Sequence, residues 1–279
     1  MKIDVTYNFI KDIDENTDRF VTQYLDNHDK VRDIDTYSPT LREYQACIYK
    51  KVLHEGELFD LKIGNDPEYD YLYWNNPTYY GNDLTKSRFA SDSIVNMQER
   101  YAPQEKEFIP DKNIKHYKNK LKKYVRAAST IGGEIIFPKH KYPISVNMAR
   151  GRNHKIKDRF DLTLECIRRF YEKDEEKRDS PLYEVLKADK KFFNLFKDFD
   201  NYVKFFYLDG SYVQGGKIKF FIGGDMFKKG MDGFKNPDFS PFPKDETEWN
   251  RLYRKQLKYL KKRNKQIRKK IGKCPIRAK

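Results

Sequence analysis

The sequence predicts an α+β fold: a single mixed domain with short antiparallel strands, a central helix near residues 157–172 and a long basic C-terminal helix. The prediction rests on short β-like runs bounded by glycine, proline and asparagine, and on longer stretches with helical periodicity between them. No internal repeat and no clear linker divides the 279 residues. We therefore expect one domain over residues 1–243, followed by a basic helix and tail over 244–279.

The first part of the chain predicts strands and one packing helix. Apolar and polar residues alternate over residues 2–9, which is typical of a half-buried strand. Ser38 and the proline that follows it form a typical helix start, and the helix is expected over residues 39–52. Strands are predicted over 59–63 and 69–74, on either side of a Gly-Asn-Asp-Pro turn, and the second of them is rich in tyrosine.

The middle of the chain predicts a basic helix over 112–128 and two strands, over 132–138 and 144–148. A glycine pair opens the first of these strands and a proline ends it. A second serine-proline start at 180–181 introduces the most apolar stretch of the chain, which we interpret as core. A strand over 217–222 precedes a loop rich in glycine, proline and phenylalanine.

The stretch around residues 144–171 carries the predicted site. A strand is expected to pass through a polar turn into a helix that starts near Lys157, and backbone amides at such a junction favour anions. The turn and the helix start supply basic and amide side chains. The residues expected to bind phosphate are Arg150, Arg152, Asn153 and Arg159.

Carboxylates on the predicted helix make it a candidate catalytic element. Asp161 and Glu165 lie one turn apart on the same side, and Asp92 lies in a Ser-Asp-Ser sequence that suits a polar ligand. A magnesium ion held by such carboxylates and by substrate phosphates is a candidate cofactor, although the sequence identifies no metal ligands. The alternative is that Asp161 and Glu165 pair with neighbouring arginines in a structural ion network.

Positive charge is concentrated at the C-terminus. The net charge is +15, and from Arg251 to Lys279 there are 14 Lys or Arg residues and no Asp or Glu. Asp245 with Glu248 suggests a capping box, and apolar residues then recur at helical spacing, which predicts one helix over about 246–271. A solvated helix, a membrane-surface helix and a phosphate-binding helix all fit this pattern. The residues expected to contact nucleic acid are Lys258, Lys261, Lys262, Arg263, Lys265, Arg268 and Lys269.

Other classes of protein are excluded on motif grounds. No apolar run approaches the length needed to span a bilayer, so we expect no membrane partner. The three cysteines lack CxxC spacing, which favours reduced thiols and a cytoplasmic location. No GxGxxG, P-loop or HExxH motif is present. Oligomeric state is left open.

Several segments resemble a bacterial family known only as a domain of unknown function. The resemblance covers most of residues 35–225, and its longest segment lies within the predicted site. The segments are SPTLREYQ (38–45), SDSI (91–94), TIGGEIIFP (130–138), ARGRNHKIKDRFDLTLECIRRFY (149–171), and SPLYEVL with FFNLFKDFDNYVKFF (180–206). The resemblance implies a soluble bacterial protein and brings no reaction or catalytic residues with it.

Two hypotheses follow. The first is a nucleic-acid-binding protein, in a bacterial defence or toxin setting, that grips phosphates through its basic C-terminal helix. The second is an enzyme, a nuclease or transferase acting on a nucleotide or phosphodiester, with its site between Arg150 and Arg168. The second requires Asp92, Glu134, Arg150 and Glu165 to converge in one pocket.

Overall fold

A four-stranded antiparallel sheet and the helices around it make up the fold, which confirms the α+β prediction. The computed structural model describes residues 3–26, 31–64, 71–76, 88–94, 114–139 and 148–271. The helices are α1 (Thr17–Asp26), α2 (Ile34–Tyr37), α3 (Pro39–Ile48), α4 (Ile114–Ala128), α5 (Met148–Ile156), α6 (Phe160–Phe170), α7 (Tyr183–Ala188), α8 (Lys190–Asn194), α9 (Phe199–Phe205) and α10 (Glu246–Lys270). The strands are β1 (Lys51–Val52), β2 (Leu58–Phe59), β3 (Lys62–Gly64), β4 (Tyr71–Tyr73), β5 (Arg88–Ser93), β6 (Glu134–Pro138), β7 (Val213–Gln214) and β8 (Lys217–Ile218).

The main sheet has the order β3-β4-β5-β6, and each neighbouring pair is antiparallel. Every residue of β6 is buried, as the apolar run between the glycine pair and the proline predicted. In the register of β5 and β6, Asp92 lies opposite Ile135 and Ser93 lies opposite Glu134. The pairing therefore brings an acidic residue of β6 into the interior beside the polar end of β5.

Helix α3 begins as predicted. Ser38 caps it, because its Oγ accepts a hydrogen bond of 3.0 Å from the backbone N–H of Leu41. The helix ends at Ile48, earlier than the predicted residue 52, because the chain turns there and Lys51 pairs with Phe59 in the β1–β2 hairpin.

The predicted N-terminal strand is wrong for the residues that the structure describes. Asn8 accepts a hydrogen bond from the N–H of Ile10 and starts a 3-10 helix over Phe9–Asp12. Asp4 accepts from the N–H of Thr6 and bends the chain before it. Alternation did identify Val5 as buried, but these local side-chain-to-backbone bonds compete with strand pairing.

The predicted polar turn at residues 150–153 is also wrong, because these residues lie within helix α5. Gly151 allows α5 to lie close to α7, since a Cβ atom there would be 2.8 Å from Cγ2 of Val185. The junction with α6 is made by Lys157 and Asp158, whose φ angles are 51° and 53°. Helix α6 therefore begins at Phe160, three residues later than predicted, and the site lies between two helices and not between a strand and a helix.

The apolar stretch after residue 180 forms core, as predicted. It folds as the three short helices α7, α8 and α9, whose aromatic rings pack mostly edge to face. Hairpin β7–β8 follows, with Gly215 and Gly216 at φ angles of 55° and 71°, which suit a type I′ turn. The predicted strand over 217–222 ends at Ile218, because the chain then leaves the hairpin and the N–H of Phe221 bonds to Asp161.

Helix α10 matches its prediction closely. Asp245 caps it by accepting a hydrogen bond of 2.7 Å from the N–H of Glu248. One side of the helix is buried in the same hydrophobic core as the preceding elements, so α10 is part of that packed body. The buried residues of α10 are Trp249, Leu252, Tyr253, Gln256, Tyr259, Leu260, Arg263 and Ile267.

Other expectations have mixed outcomes. Cys166 is a buried thiol, whereas Cys47 is disulfide-bonded, which differs from the reduced thiols expected from spacing alone. In the described ranges, none of the helices combines the length and the apolar character that crossing a bilayer requires. Some predicted features lie outside the described ranges, in residues 65–70, 77–87, 144–147 and 272–279. They are part of the predicted turn, Tyr79 and Tyr80, most of the predicted strand 144–148 and the end of the tail.

Arg263 connects three parts of the fold although its side chain is fully buried. Its Nη1 donates to the carbonyl oxygens of Gly132 at 3.0 Å and Glu134 at 2.7 Å. Its Nε donates to the carbonyl oxygen of Phe206 at 3.1 Å, and its Nη2 donates to the Tyr49 hydroxyl at 3.1 Å. The guanidinium group thus joins α10 to β6, to the end of α9 and to the end of α3.

We predict that Arg263→Ala lowers the free energy of unfolding by about 3 kcal/mol or more, because it leaves several buried carbonyl groups without donors. Arg263→Lys should be intermediate, since an ammonium group cannot reproduce the guanidinium fork. Urea unfolding measures both, with Lys261→Ala as an exposed control on the same helix that should stay within about 0.5 kcal/mol of wild type. A loss below about 1 kcal/mol for Arg263→Ala would contradict this role.

Candidate functional site

The predicted site residues fall into three groups, and the first pairs Arg152 with Asp92. Arg152 is fully buried, and its Nη1 lies 2.5 Å from Oδ2 of Asp92. Its Nε donates to Oγ1 of Thr163 at 3.1 Å. The structure does bring these two predicted residues together, but the guanidinium group of Arg152 already bonds protein atoms of α6 and β5.

The second group is a buried ion pair between Arg159 and Asp161. Two hydrogen bonds join them, from Nε to Oδ1 at 2.8 Å and from Nη2 to Oδ2 at 2.5 Å. Arg159 also donates to the carbonyl oxygens of Ile222 at 2.9 Å and Pro241 at 3.2 Å. Asp161 accepts from the N–H of Phe221 at 2.7 Å. The pair therefore fastens the loop that precedes α10 to the start of α6.

The third group surrounds Glu165. Its carboxylate accepts two hydrogen bonds from Arg168, at 2.9 Å and 2.8 Å, and one from Nε of Arg169 at 2.9 Å. Arg169 extends the network to Asp232 at 2.8 Å. Hydrogen bonding to Glu165 is the main cause that raises the pKa of the Arg168 guanidinium. The carboxylate of Glu165 is thus surrounded by arginines of its own helix.

These contacts favour the structural alternative for α6. Asp161 and Glu165 bond to arginines and backbone groups, while Arg150 is exposed on α5 and Asn153 is partly exposed there. In the described part of the chain, no three His, Cys, Asp or Glu side chains are grouped as metal ligands would be. Of the four residues that an enzyme site required, Glu165 bonds to Arg168 and Arg169, Arg150 is exposed on α5, and Asp92 acts electrostatically on Glu134.

Sequence reasoning expected Asp92 and Glu134 to approach each other but missed Asp33 and Asp35, which act electrostatically on Glu134, and we call these four residues the carboxyl cluster. Burial, and then the carboxylates of Asp33 and Asp92, raise the pKa of Asp35 well above its ordinary value. Burial, and then Asp35, Asp92 and Asp33, do the same to the pKa of Glu134. The members come from α2, β5 and β6, so only the docking of α2 against the sheet brings them together.

Helix α10 carries the basic surface that its sequence predicted, with one exception. Arg263 is not available to a ligand, since its side chain is buried and bonded to the core. The other predicted nucleic-acid contacts point away from the core. Lys258, Lys261, Lys265, Arg268 and Lys269 are exposed, and Lys262 is partly exposed. Lys258 and Lys262 lie near Lys219, whose pKa is lowered by burial and then by their charges.

A cleft of about 490 Å³ runs along one side of this surface. Its lining combines apolar, hydroxyl or amide, and cationic side chains, and no acidic side chain is among the described residues that line it. The lining residues are Val5, Thr6, Ala127, Thr130, Leu260, Lys261, Asn264, Lys265, Arg268 and Lys269. Asn264 is held in place, because its Oδ1 accepts from the N–H of Gly132 at 2.7 Å and its Nδ2 donates to Thr130 at 2.9 Å.

Sequence comparison agrees with the resemblance seen in the motifs. Residues 3–267 match a family of unknown function (DUF6994), so the match covers nearly all of the chain, including α10 as far as Ile267. No curated protein and no solved structure gives a significant match.

A double-mutant cycle should show that Arg159 and Asp161 are structural. We expect Asp161→Ala to lower the free energy of unfolding by roughly 3–5 kcal/mol, because it leaves the buried guanidinium uncompensated. The double variant Arg159→Met, Asp161→Ala should lose much less than the sum of the losses in Arg159→Met alone and Asp161→Ala alone. Additive losses in urea unfolding would show that the two side chains act independently.

The carboxyl cluster predicts an unusual dependence of stability on pH. The pKa of Glu134 is raised in the folded state, so the folded protein holds a proton that the unfolded chain releases above about pH 4.5. Wild-type stability should therefore fall, relative to Glu134→Gln, as the pH rises from 4.5 towards the folded pKa, by up to about 1.4 kcal/mol per pH unit. Urea unfolding between pH 4 and 8 tests this, with the exposed Glu184→Gln as control. A difference between wild type and Glu134→Gln that is constant with pH would contradict it.

Proposed function

The chain belongs to this family of unknown function, and from that premise we propose that it is a nucleic-acid-binding protein that grips phosphates through the exposed face of α10. The observation that carries the proposal is the cleft beside α10, where four cations line one side and none of the described lining residues is acidic. Phosphate contacts by Lys and Arg supply most of the affinity in binding that does not depend on sequence. The proposal includes a cytoplasmic location, which rests on the presence of such a partner there and not on the state of the thiols, since Cys47 is disulfide-bonded.

The charge of α10 is uncompensated along its length. Its acidic residues, Glu246 and Glu248, lie in the first turn, and no Asp or Glu follows them. One carboxylate approaches the cleft from outside the helix. Asp4, whose pKa is lowered mainly by hydrogen bonds from Thr6, lies within the field of Arg268. Asp4 offsets part of this charge, and the cations that line the cleft can still attract a polyanion and steer its approach.

The spacing of the cations fits a nucleic-acid strand. Lys261 and Lys269 lie eight residues apart, which is roughly 12 Å along a helix axis. The four cations of the cleft thus lie within roughly 12 Å, at uneven intervals, and one strand of duplex DNA carries about three to four phosphates over that length of its axis. The match in linear charge density supports contacts with successive phosphates of one strand.

The lining of the cleft also indicates how a bound strand is recognised. None of the described residues that line it is aromatic, so the cleft offers no ring on which a base could stack. The hydroxyls of Thr6 and Thr130 already donate to Asp4 and to the carbonyl oxygen of Ala127. Asn264 keeps one N–H that can donate to a phosphate or sugar oxygen, since its other Nδ2 proton goes to Thr130. We therefore expect binding through the backbone, with little preference for base sequence.

The alternative function, cleavage or transfer at a site between Arg150 and Arg168, is less well supported. The carboxylates of Asp161 and Glu165 are engaged by arginines, so neither is positioned to act as a base. No contact among the described residues supports a defence or toxin setting in particular. The proposal is accordingly confined to binding.

Charge-neutralising variants test the proposal better than truncation, because removing α10 would also remove part of the core. The test variant replaces Lys261, Lys265, Arg268 and Lys269 with Gln. The control replaces four exposed lysines outside α10, namely Lys173, Lys187, Lys190 and Lys228, and lowers the net charge equally. Fluorescence anisotropy with labelled DNA and RNA of mixed sequence, over a range of salt concentrations, measures both.

We expect the test variant to bind at least tenfold more weakly than wild type at low salt. The slope of log affinity against log salt should fall by roughly 0.7–0.9 for each phosphate that the variant no longer neutralises. The control variant should keep most of the wild-type affinity. Equal reductions in the affinity of the two variants, or wild-type binding that does not respond to salt, would contradict the proposal.

A further inference from the structure

One lysine outside the basic surface of α10 lies among aromatic rings. Lys51 belongs to β1, and its Nζ is 3.5 Å from the centre of the Tyr207 ring and 4.7 Å from the centre of the Phe205 ring. The same Nζ donates a hydrogen bond to the carbonyl oxygen of Phe205. Lysine side chains mostly extend into solvent, whereas this one lies across the end of α9.

The groups around this amine are held in place by the core. The Phe205 ring packs edge to face on Phe59 at 5.6 Å, and Phe59 pairs with Lys51 in the β1–β2 hairpin. The Tyr207 side chain is buried, and its hydroxyl donates to the carbonyl oxygen of Ile48 at 2.9 Å. The position of Nζ therefore depends on β1, on the end of α9 and on the end of α3.

The charged groups near this amine are cations. Nε of Arg263 donates to the carbonyl oxygen of Phe206 at 3.1 Å, and Nζ of Lys51 donates to that of Phe205. The two basic side chains thus bond consecutive carbonyl groups at the end of α9. Lys270, at the end of α10, adds a third positive charge, and none of the described carboxylates is among the groups that act on Lys51.

These surroundings favour the neutral amine. Burial, and then the charges of Lys270 and Arg263, lower the pKa of Lys51 to about 6. The ring faces attract an ammonium group and offset part of this effect. A neutral amine keeps its hydrogen bond to Phe205 through one N–H and still has a lone pair. Lysines that are desolvated or that lie beside another cation are nucleophilic near neutral pH.

The amine lies close to the surface. Lys51 is partly exposed, and the hairpin that carries it also exposes Val52 and Leu58. A small molecule can therefore approach this part of the chain without opening the core. The two rings and the carbonyl group occupy much of the space around Nζ, which restricts the approach to small reactants.

We propose that Lys51 is a nucleophilic amine that forms a Schiff base with small aldehydes or ketones. The Nζ lone pair attacks the carbonyl carbon, and the carbonyl π electrons move to oxygen. Proton transfer from nitrogen to that oxygen gives a carbinolamine. Loss of water, which takes the second amine proton, then forms the C=N bond without any oxidant or reductant. The site shares no residue with the cleft beside α10, so its test does not depend on nucleic-acid binding.

Competitive acetylation tests the nucleophilicity of the amine. The full chain is treated with limiting acetic anhydride between pH 6 and pH 9, and tandem mass spectrometry measures acetylation of Lys51 and Lys50 in the same sample. Lys50 is the matched control, because it is the preceding residue and its Nζ lies 3.2 Å from Oδ1 of Asp60. The ratio of the two labels cancels the decay of the reagent.

We expect the ratio of Lys51 to Lys50 acetylation to fall at least tenfold from pH 7 to pH 9. An amine that is already neutral gains little reactivity over this range, whereas an ordinary lysine gains about tenfold per pH unit. In urea, where the surroundings of both residues are lost, the ratio should stay constant. A ratio that is constant with pH in the folded protein, or a folded protein in which Lys51 is not acetylated, would overturn the proposal.

Reductive trapping tests the Schiff base itself. Limiting acetaldehyde with sodium cyanoborohydride at pH 7 converts an imine into a stable ethylamine. We expect at least tenfold more ethylation at Lys51 than at Lys50, and at least fivefold less singly ethylated protein in a Lys51→Met variant that thermal unfolding shows to be folded. Equal ethylation of the two lysines, or an unchanged yield of singly ethylated protein in Lys51→Met, would refute the proposal.

Discussion

The buried guanidinium group of Arg263 is the interaction on which most of the fold depends. Docking a helix rich in lysine and arginine removes water from charged side chains. The free-energy cost of that desolvation opposes the gain from hydrophobic contact along one side of the helix. Arg263 resolves this conflict because its donors meet carbonyl oxygens of β6, of the turn before β6 and of α9. The backbone groups it bonds would otherwise be buried without donors. Docking of α10 and completion of the sheet edge are consequently parts of one event.

Two other arginines are buried on the same principle. Arg152, Arg159 and Arg263 are among the largest fully buried side chains, and each bonds backbone carbonyls or a carboxylate. Lysines dominate the exposed face of α10, where a compact and strongly hydrated charge stays in water. The basic residues behind the net charge of +15 therefore form two populations, one buried and one exposed, with different roles. Only the exposed population can meet a polyanion.

Periodicity predicted the fold well where elements are long and capped. Asp245 with Glu248 located the start of α10 correctly, and the apolar run at 134–138 was correctly identified as a buried strand. Errors arose where short polar side chains redirect the backbone, as Asn8 does, and where tertiary packing allowed a helix, as Gly151 does beside Val185.

The site was predicted less well. Helical spacing placed Asp161 and Glu165 on one side of a helix, but it could not show which arginines would surround them. The addition of Asp33 and Asp35 to Asp92 and Glu134 could not be predicted, because it depends on the docking of α2 against the sheet.

Helix α10 presents its two sides to different surroundings, and this has a thermodynamic consequence. The exposed side is rigid only while the buried side is docked, so an unfolded chain cannot present the same array of cations. A ligand that binds only the native array raises the free energy of unfolding by RT ln(1 + [L]/Kd), about 2.7 kcal/mol at a hundredfold excess over Kd. Occupancy of the surface and resistance to heat or proteolysis thus rise together. In a cell, the lifetime of such a protein would track the supply of its partner.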